Sequence, residues 1–361
     1  MKRRSYLGIV AGAVGGAALY LLFSTRPLRQ ENTVTLETTR TLIKTETITT
    51  TLTATKEQTR TVTQTQLQAT RTYWVVGEPL PTPLTEVAMV SSENRLYLAG
   101  GLTADGKASD KFFSYDFSAG RWAELVPMPA GLHHVGMVYF AGSVYVVGGY
   151  DGGWNAQNKV YRYEVRKDVW EEMTPMPTAR GALTAQPVDG LIYAVGGARN
   201  NLPLNTNEAF NPSSNEWMTR RPMRVAREHL ASGVFGERFF AVGGRVVRGG
   251  GMTNLDVVEV YDVESDVWSV RSPMPTARSG IAAAVVGGKL YVFGGESQVK
   301  TFSEVEAYDP KTDTWEKVAE LPTPRHGLGV AAVGNRIYVV AGGPQPGLTV
   351  SSVNEVLVLE G

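Results

Sequence analysis

Arginine is the side chain whose placement in this 361-residue sequence most invites chemistry. Arg180, Arg227, Arg278 and Arg325 each end a PMPTAR-like segment, at intervals of 47, 51 and 47 residues, and Leu84 and Leu132 hold the matching positions upstream. Guanidinium groups brought together suit carboxylates, sulfates or phosphates, because each planar fork donates paired, charge-assisted hydrogen bonds. The next residues along are Thr85, His133, Gly181, Glu228, Ser279 and His326. A second set follows Gly-Gly pairs: Tyr150, Asp151 and Trp154 in GGYDGGW, Arg199 in GGARN, Arg245 and Arg248 in GGRVVRGGG, and Glu296 in GGES. The predicted ligand-binding set is Arg180, Arg199, Arg227, Arg245, Arg278 and Arg325, accompanied by Glu296, His133, Tyr150 and Trp154. Its natural ligand is an anionic sugar or an acidic peptide.

Other chemistries find less support. The chain has no Cys, which removes disulfides, Cys-ligated zinc, iron–sulfur clusters and thiol nucleophiles. It has four His; His133 and His134 are adjacent in a predicted strand, so their side chains should leave on opposite faces, and no metal site is expected. No cofactor is implied: there is no P-loop, G-x-S-x-G or zinc motif, and the RGGG at 248–251 lacks the strand–helix context of a phosphate loop.

The elements that must carry these residues are set by a repeat. Gly-Gly pairs fall at 100–101, 148–149, 196–197, 243–244, 294–295 and 342–343, each preceded by an aromatic: Tyr97, Tyr145, Tyr193, Phe240, Tyr291 and Tyr338. Behind five pairs stand a second aromatic and, seven residues later, a Trp: Tyr115/Trp122, Tyr163/Trp170, Phe210/Trp217, Tyr261/Trp268 and Tyr308/Trp315. One unit resolves into four short apolar or alternating runs split by turn residues, which predicts four antiparallel strands. A lone sheet of that kind leaves both faces wet, so units must stack around an axis as a β-propeller.

In this pattern the sequence resembles the Kelch repeat family over about 80% of its length. The resemblance implies an all-β, six-bladed propeller over residues 73–361, with the loop residues named above on one face. The sixth unit lacks a Trp, and Trp74 precedes Pro81 and Pro83 as Trp315 precedes Pro322 and Pro324, so residues 72–77 are expected to complete the last blade. Within the family, Arg at the recurring position also has a structural reading, packed across the channel or paired with Glu228 and Glu296. Similarity to the six-bladed Kelch sialate epimerases (mutarotases) implies an alternative enzyme in which the Arg groups hold a carboxylate and Glu228 or His326 moves a proton during ring opening. A third reading is an envelope scaffold.

The amino-terminal part is of another kind. Residues 1–30 carry five basic and no acidic side chains, residues 31–72 five and four, and residues 73–361 25 and 31. The mildly acidic repeat region argues against nucleic-acid binding. The uncharged run 6–23 would reach about 27 Å as a helix, close to a bilayer core of roughly 30 Å. Basic residues ahead of it favour a cytoplasmic amino terminus and an extracytoplasmic propeller, with cleavage as a signal peptide and secretion as the alternative. A GxxxG at Gly8 and Gly12 would allow a homodimer through this helix. Residues 33–72 hold 18 Thr in 40 positions, too few large apolar groups for a core, and read as an extended stalk over 31–72. The expected whole is a cell-membrane-tethered module that binds a protein or glycan on its Arg-bearing face.

Overall fold

The computed structural model describes residues 36–37, 44–54, 58–68, 71–248 and 251–360. Among them every regular element is a strand. Five four-stranded antiparallel blades occupy residues 88–124, 136–172, 184–220, 231–271 and 282–320. The sixth is built from Gly329–Val333, Arg336–Val340 and Asn354–Glu360, and its next strand is Arg71–Val76, with Leu357 opposite Trp74. The first strand of each blade approaches those of both neighbours, which closes the ring around an axial channel.

The repeated aromatics do the same work in each blade. Tyr115, Tyr163, Phe210, Tyr261 and Tyr308 stand directly across from their Trp partners in the fourth strand, with ring centroids 5.0–5.2 Å apart. The seven-residue offset is therefore one hairpin turn. Each of these indoles also reaches the blade before it. Trp122, Trp170, Trp217, Trp268 and Trp315 donate from Nε1 to the carbonyls of Glu78, Val126, Thr174, Arg221 and Ser272 at 2.7–3.0 Å. Trp74 is buried, and among the described residues its Nε1 finds no acceptor.

The Gly pairs take left-handed backbone, and the amide of the second Gly bonds the carbonyl of the recurring Arg or Leu in the next blade, as Gly149 does with Arg180 at 3.0 Å. At Gly294 an added Cβ would lie 2.3 Å from the Arg325 carbonyl. In the sixth blade the equivalent pair is Ala341–Gly342 (φ 59° and 94°), one residue before the Gly-Gly pair in the sequence, because Gly342 is the residue bonded to Leu84. Left-handed backbone costs an alanine roughly 1–2 kcal/mol that glycine largely avoids. Ala341→Gly is thus expected to raise stability by about 1 kcal/mol in urea unfolding, while Gly294→Ala lowers it by more.

The apolar run 6–23 lies outside the described residues, and among the described residues no helix is long and apolar enough to cross a membrane. Within the Thr-rich stretch, Lys44–Ala54 and Gln58–Gln68 pair as an antiparallel hairpin, in keeping with the strand preference of β-branched threonine.

Candidate functional site

The recurring arginines are not on a binding face. Arg180, Arg227, Arg278 and Arg325 are 0% exposed. Each donates from Nη1 to a glutamate in the third strand of its own blade, Glu208, Glu259, Glu306 and Glu355, and from Nη2 to a second-strand carbonyl, that of Ala194, Ala241, Val292 or Val339, at 2.8–3.1 Å. The expectation of an Arg-lined ligand site is corrected for these four, and so is the choice of Glu228 and Glu296 as their partners. Blades one and two replace the ion pair by apolar contacts: Leu84 shares a core cluster with Phe113, and Leu132 with Tyr161. Sequence shows the compensation, since Glu stands two residues before the third-strand Tyr, Phe or Leu only where the Arg is present.

The chemistry collects two positions further along. Glu86, His134, Ala182, His229, Gly280 and Gly327 occupy one equivalent place in six blades, all at φ between 53° and 64°. Their backbones bond in sequence: the amides of His134, Ala182, His229, Gly280 and Gly327 donate to the carbonyls of Glu86, His134, Ala182, His229 and Gly280 at 2.9–3.1 Å. The amide of Val87 closes the circle on Gly327 at 3.3 Å. This collar surrounds the channel entrance, and its three ionisable members were not singled out from sequence. The available signal was a column in which two blades keep the Gly that left-handed backbone prefers while three carry Glu or His.

Around the collar the other predicted residues converge. Arg245 donates to Glu228 at 3.0 Å, Glu296 at 2.9 Å and His229 Nε2 at 3.1 Å. His326 meets Glu86 at 3.0 Å through Nδ1, and its Nε2 lies 3.7 Å from Glu296. Burial opposes the charge on His326, but Glu86 and Glu296 prevail and raise its pKa to about 9. Burial likewise opposes the Glu228 carboxylate, which His229 and Arg245 hold down at about 2. Glu228 and His326 are therefore brought into one network through Arg245 and Glu296.

His133 and His134 do not diverge as a strand would require. His134 is left-handed (φ 56°), so the alternation fails and the two Nδ1 atoms lie 2.5 Å apart. Tyr150 donates to the Ala198 carbonyl at 3.1 Å, its ring filling the space a side chain at Gly181 would need. Trp154 is 57% exposed and left-handed (φ 60°), with its ring centroid 4.5 Å from His133, 5.4 Å from His134 and 5.7 Å from Tyr150. Arg199 is exposed in a two-residue strand paired with Leu202–Pro203. A cavity of about 260 Å³ opens above the collar, lined by Trp154, Leu102, Leu348, Arg245, Glu296 and His326 among others.

Residues 52–244 and 220–360 match the model of the KLHDC2/KLHL20/DRC7 Kelch-repeats domain. The chain belongs to the Kelch-repeat family. Stretches of this Kelch propeller are similar to α-scruin of Limulus polyphemus (34% identity over 96 residues, 27% of this chain and 10% of that protein) and to Kelch-like protein 15 of Danio rerio (32% over 96 residues, 27% and 15%). Kelch-like protein 34 of Homo sapiens is 38% identical over 89 residues, 24% of this chain and 13% of that one. The matched stretches thus span 10–15% of these relatives' own length. The solved structure of YjhT superimposes with a TM-score of 0.66 over 79% of this chain and 99% of its own, at 16% identity, a likeness of fold.

Proposed function

We propose that this Kelch propeller is a recognition module whose axial mouth receives a segment of a protein partner. The observation that carries this reading is Trp154, an indole more than half exposed yet seated on buried His133, His134 and Tyr150 at the rim of the mouth cavity. A rigidly based aromatic beside a concave surface with apolar and charged walls is the usual form of an interface anchor. Half-exposed Leu348 and buried Leu102 supply the apolar wall.

The charges of the mouth select the partner. Glu86, Glu228 and Glu296 face Arg245 and His326, and Arg245 is already shared between two carboxylates. A basic or neutral segment fits this balance better than an acidic peptide or anionic sugar. The basic, apolar amino terminus would tether the module to a membrane with the propeller on the extracytoplasmic side, a reading that rests on residues 1–23 of the sequence.

Panning of a random peptide library on the purified chain tests the mouth. Enriched peptides should pair an apolar with a basic residue, and Trp154→Ala should weaken them tenfold or more while Val267→Ala, in an outer strand, leaves them unchanged. Peptides indifferent to Trp154 would place recognition elsewhere. The tether requires that the full chain sediment with membranes and that residues 71–361 remain in the supernatant.

A further inference from the structure

We infer that the collar holds a divalent transition-metal ion on Glu86, His134 and His229. One ligand atom of each lies within 4.8 Å of the others, and the three come from blades one, two and four, fixed by the ring of backbone hydrogen bonds. Ligand atoms bound to one tetrahedral ion at about 2.0–2.1 Å sit roughly 3.4 Å apart, so side-chain rotations of an ångström or so close the site.

The hydrogen bonds decide which nitrogens are free to ligate. The Asp151 carbonyl can only accept, so His133 donates to it from Nε2 at 3.1 Å. Neutral His133 then accepts at Nδ1, and His134 donates there from its own Nδ1. The remaining His134 nitrogen, Nε2, carries a lone pair and faces Glu86 Oε2 at 3.2 Å. Two acceptors that meet in a buried place need a cation between them. At His229 the Nε2 lone pair is capped by Arg245, while Nδ1, 3.6 Å from Glu228, has no hydrogen-bond partner. An ion that displaces the Arg245 cap leaves that guanidinium on Glu228 and Glu296 and turns Nδ1–H toward Glu228. His326 steadies the other oxygen of Glu86. Each ligand thus has an outer partner that orients it, as metal ligands do. The fourth position opens to the mouth cavity, and two His with one Glu is a zinc-type donor set.

This inference is independent of a protein partner. It is tested on the full chain, purified in mild detergent and stripped with EDTA, by calorimetric titration with ZnCl2 and by the visible absorption of Co2+. One ion per chain should bind with Kd below about 1 μM, at least 100-fold more tightly than to Glu86→Gly or His229→Gly. Glycine suits the left-handed backbone at both positions and already occupies them in blades five and six, so both variants should fold, with Glu86→Gly melting lower than the parent because His326 loses its partner. His133→Ala should cost 10–100-fold through His134. Binding unaffected by both glycine variants, or absence of binding at 100 μM Zn2+, overturns the assignment.

Discussion

Arg278→Leu alone is expected to destabilise the propeller by about 3–5 kcal/mol, because it strands Glu306 as a buried charge without its partner. Glu306→Phe alone should cost a similar amount by stranding Arg278. The double variant Arg278→Leu/Glu306→Phe copies what blade one does with Leu84 and Phe113, and should recover most of the loss. Recovery is incomplete, since the carbonyls of Thr276 and Val292 lose their guanidinium donors at roughly 1 kcal/mol each. Urea unfolding of the four proteins closes a double-mutant cycle. A double variant as unstable as the sum of the singles would show that the six positions are not interchangeable.

The second large effect belongs to the strand Arg71–Val76. A chain that begins at residue 78 loses every partner of Asn354–Glu360 on that side, from Glu360 opposite Arg71 to Glu355 opposite Val76. It also loses Trp74 from the cluster that contains Phe293, Val305, Leu321 and Leu357. Removing a buried Trp alone costs about 3–5 kcal/mol, and the bared edge of Val356, Leu357 and Val358 is a template for aggregation. Against a total stability of about 5–15 kcal/mol, that truncation should abolish the cooperative thermal transition expected of a chain that begins at residue 70. Equal melting of the two proteins would mean that the sixth blade stands without this strand.

The blade count was legible because the same contacts recur in register. An aromatic opposite a Trp and a left-handed Gly before a tight crossing leave a trace in every unit, and five Tyr or Phe with Trp pairs at constant offset cannot arise from surface drift. The site was legible only in part. Arg245, Glu228, Glu296, His133, His326, Tyr150 and Trp154 were placed on one face by loop topology, and they do gather at the mouth. The four repeat arginines were misread because their counter-charges lie 28–32 residues downstream on a third strand, a distance over which no local motif connects them. Glu86, His134 and His229 were overlooked because conformation, not residue type, makes their column a unit: alternation expected of a strand sends neighbouring side chains apart, and one left-handed residue cancels it.

Five of the indoles act as rivets between neighbouring sheets, and the sixth, on Trp74, has nothing to grip. The junction between blades five and six therefore lacks that polar catch and relies on apolar packing around Trp74 and on backbone bonds such as that from Gly295 to Arg325. Thermal breathing of the toroid should begin at this latch, so that amide exchange around Trp74 runs ahead of exchange at the five riveted junctions.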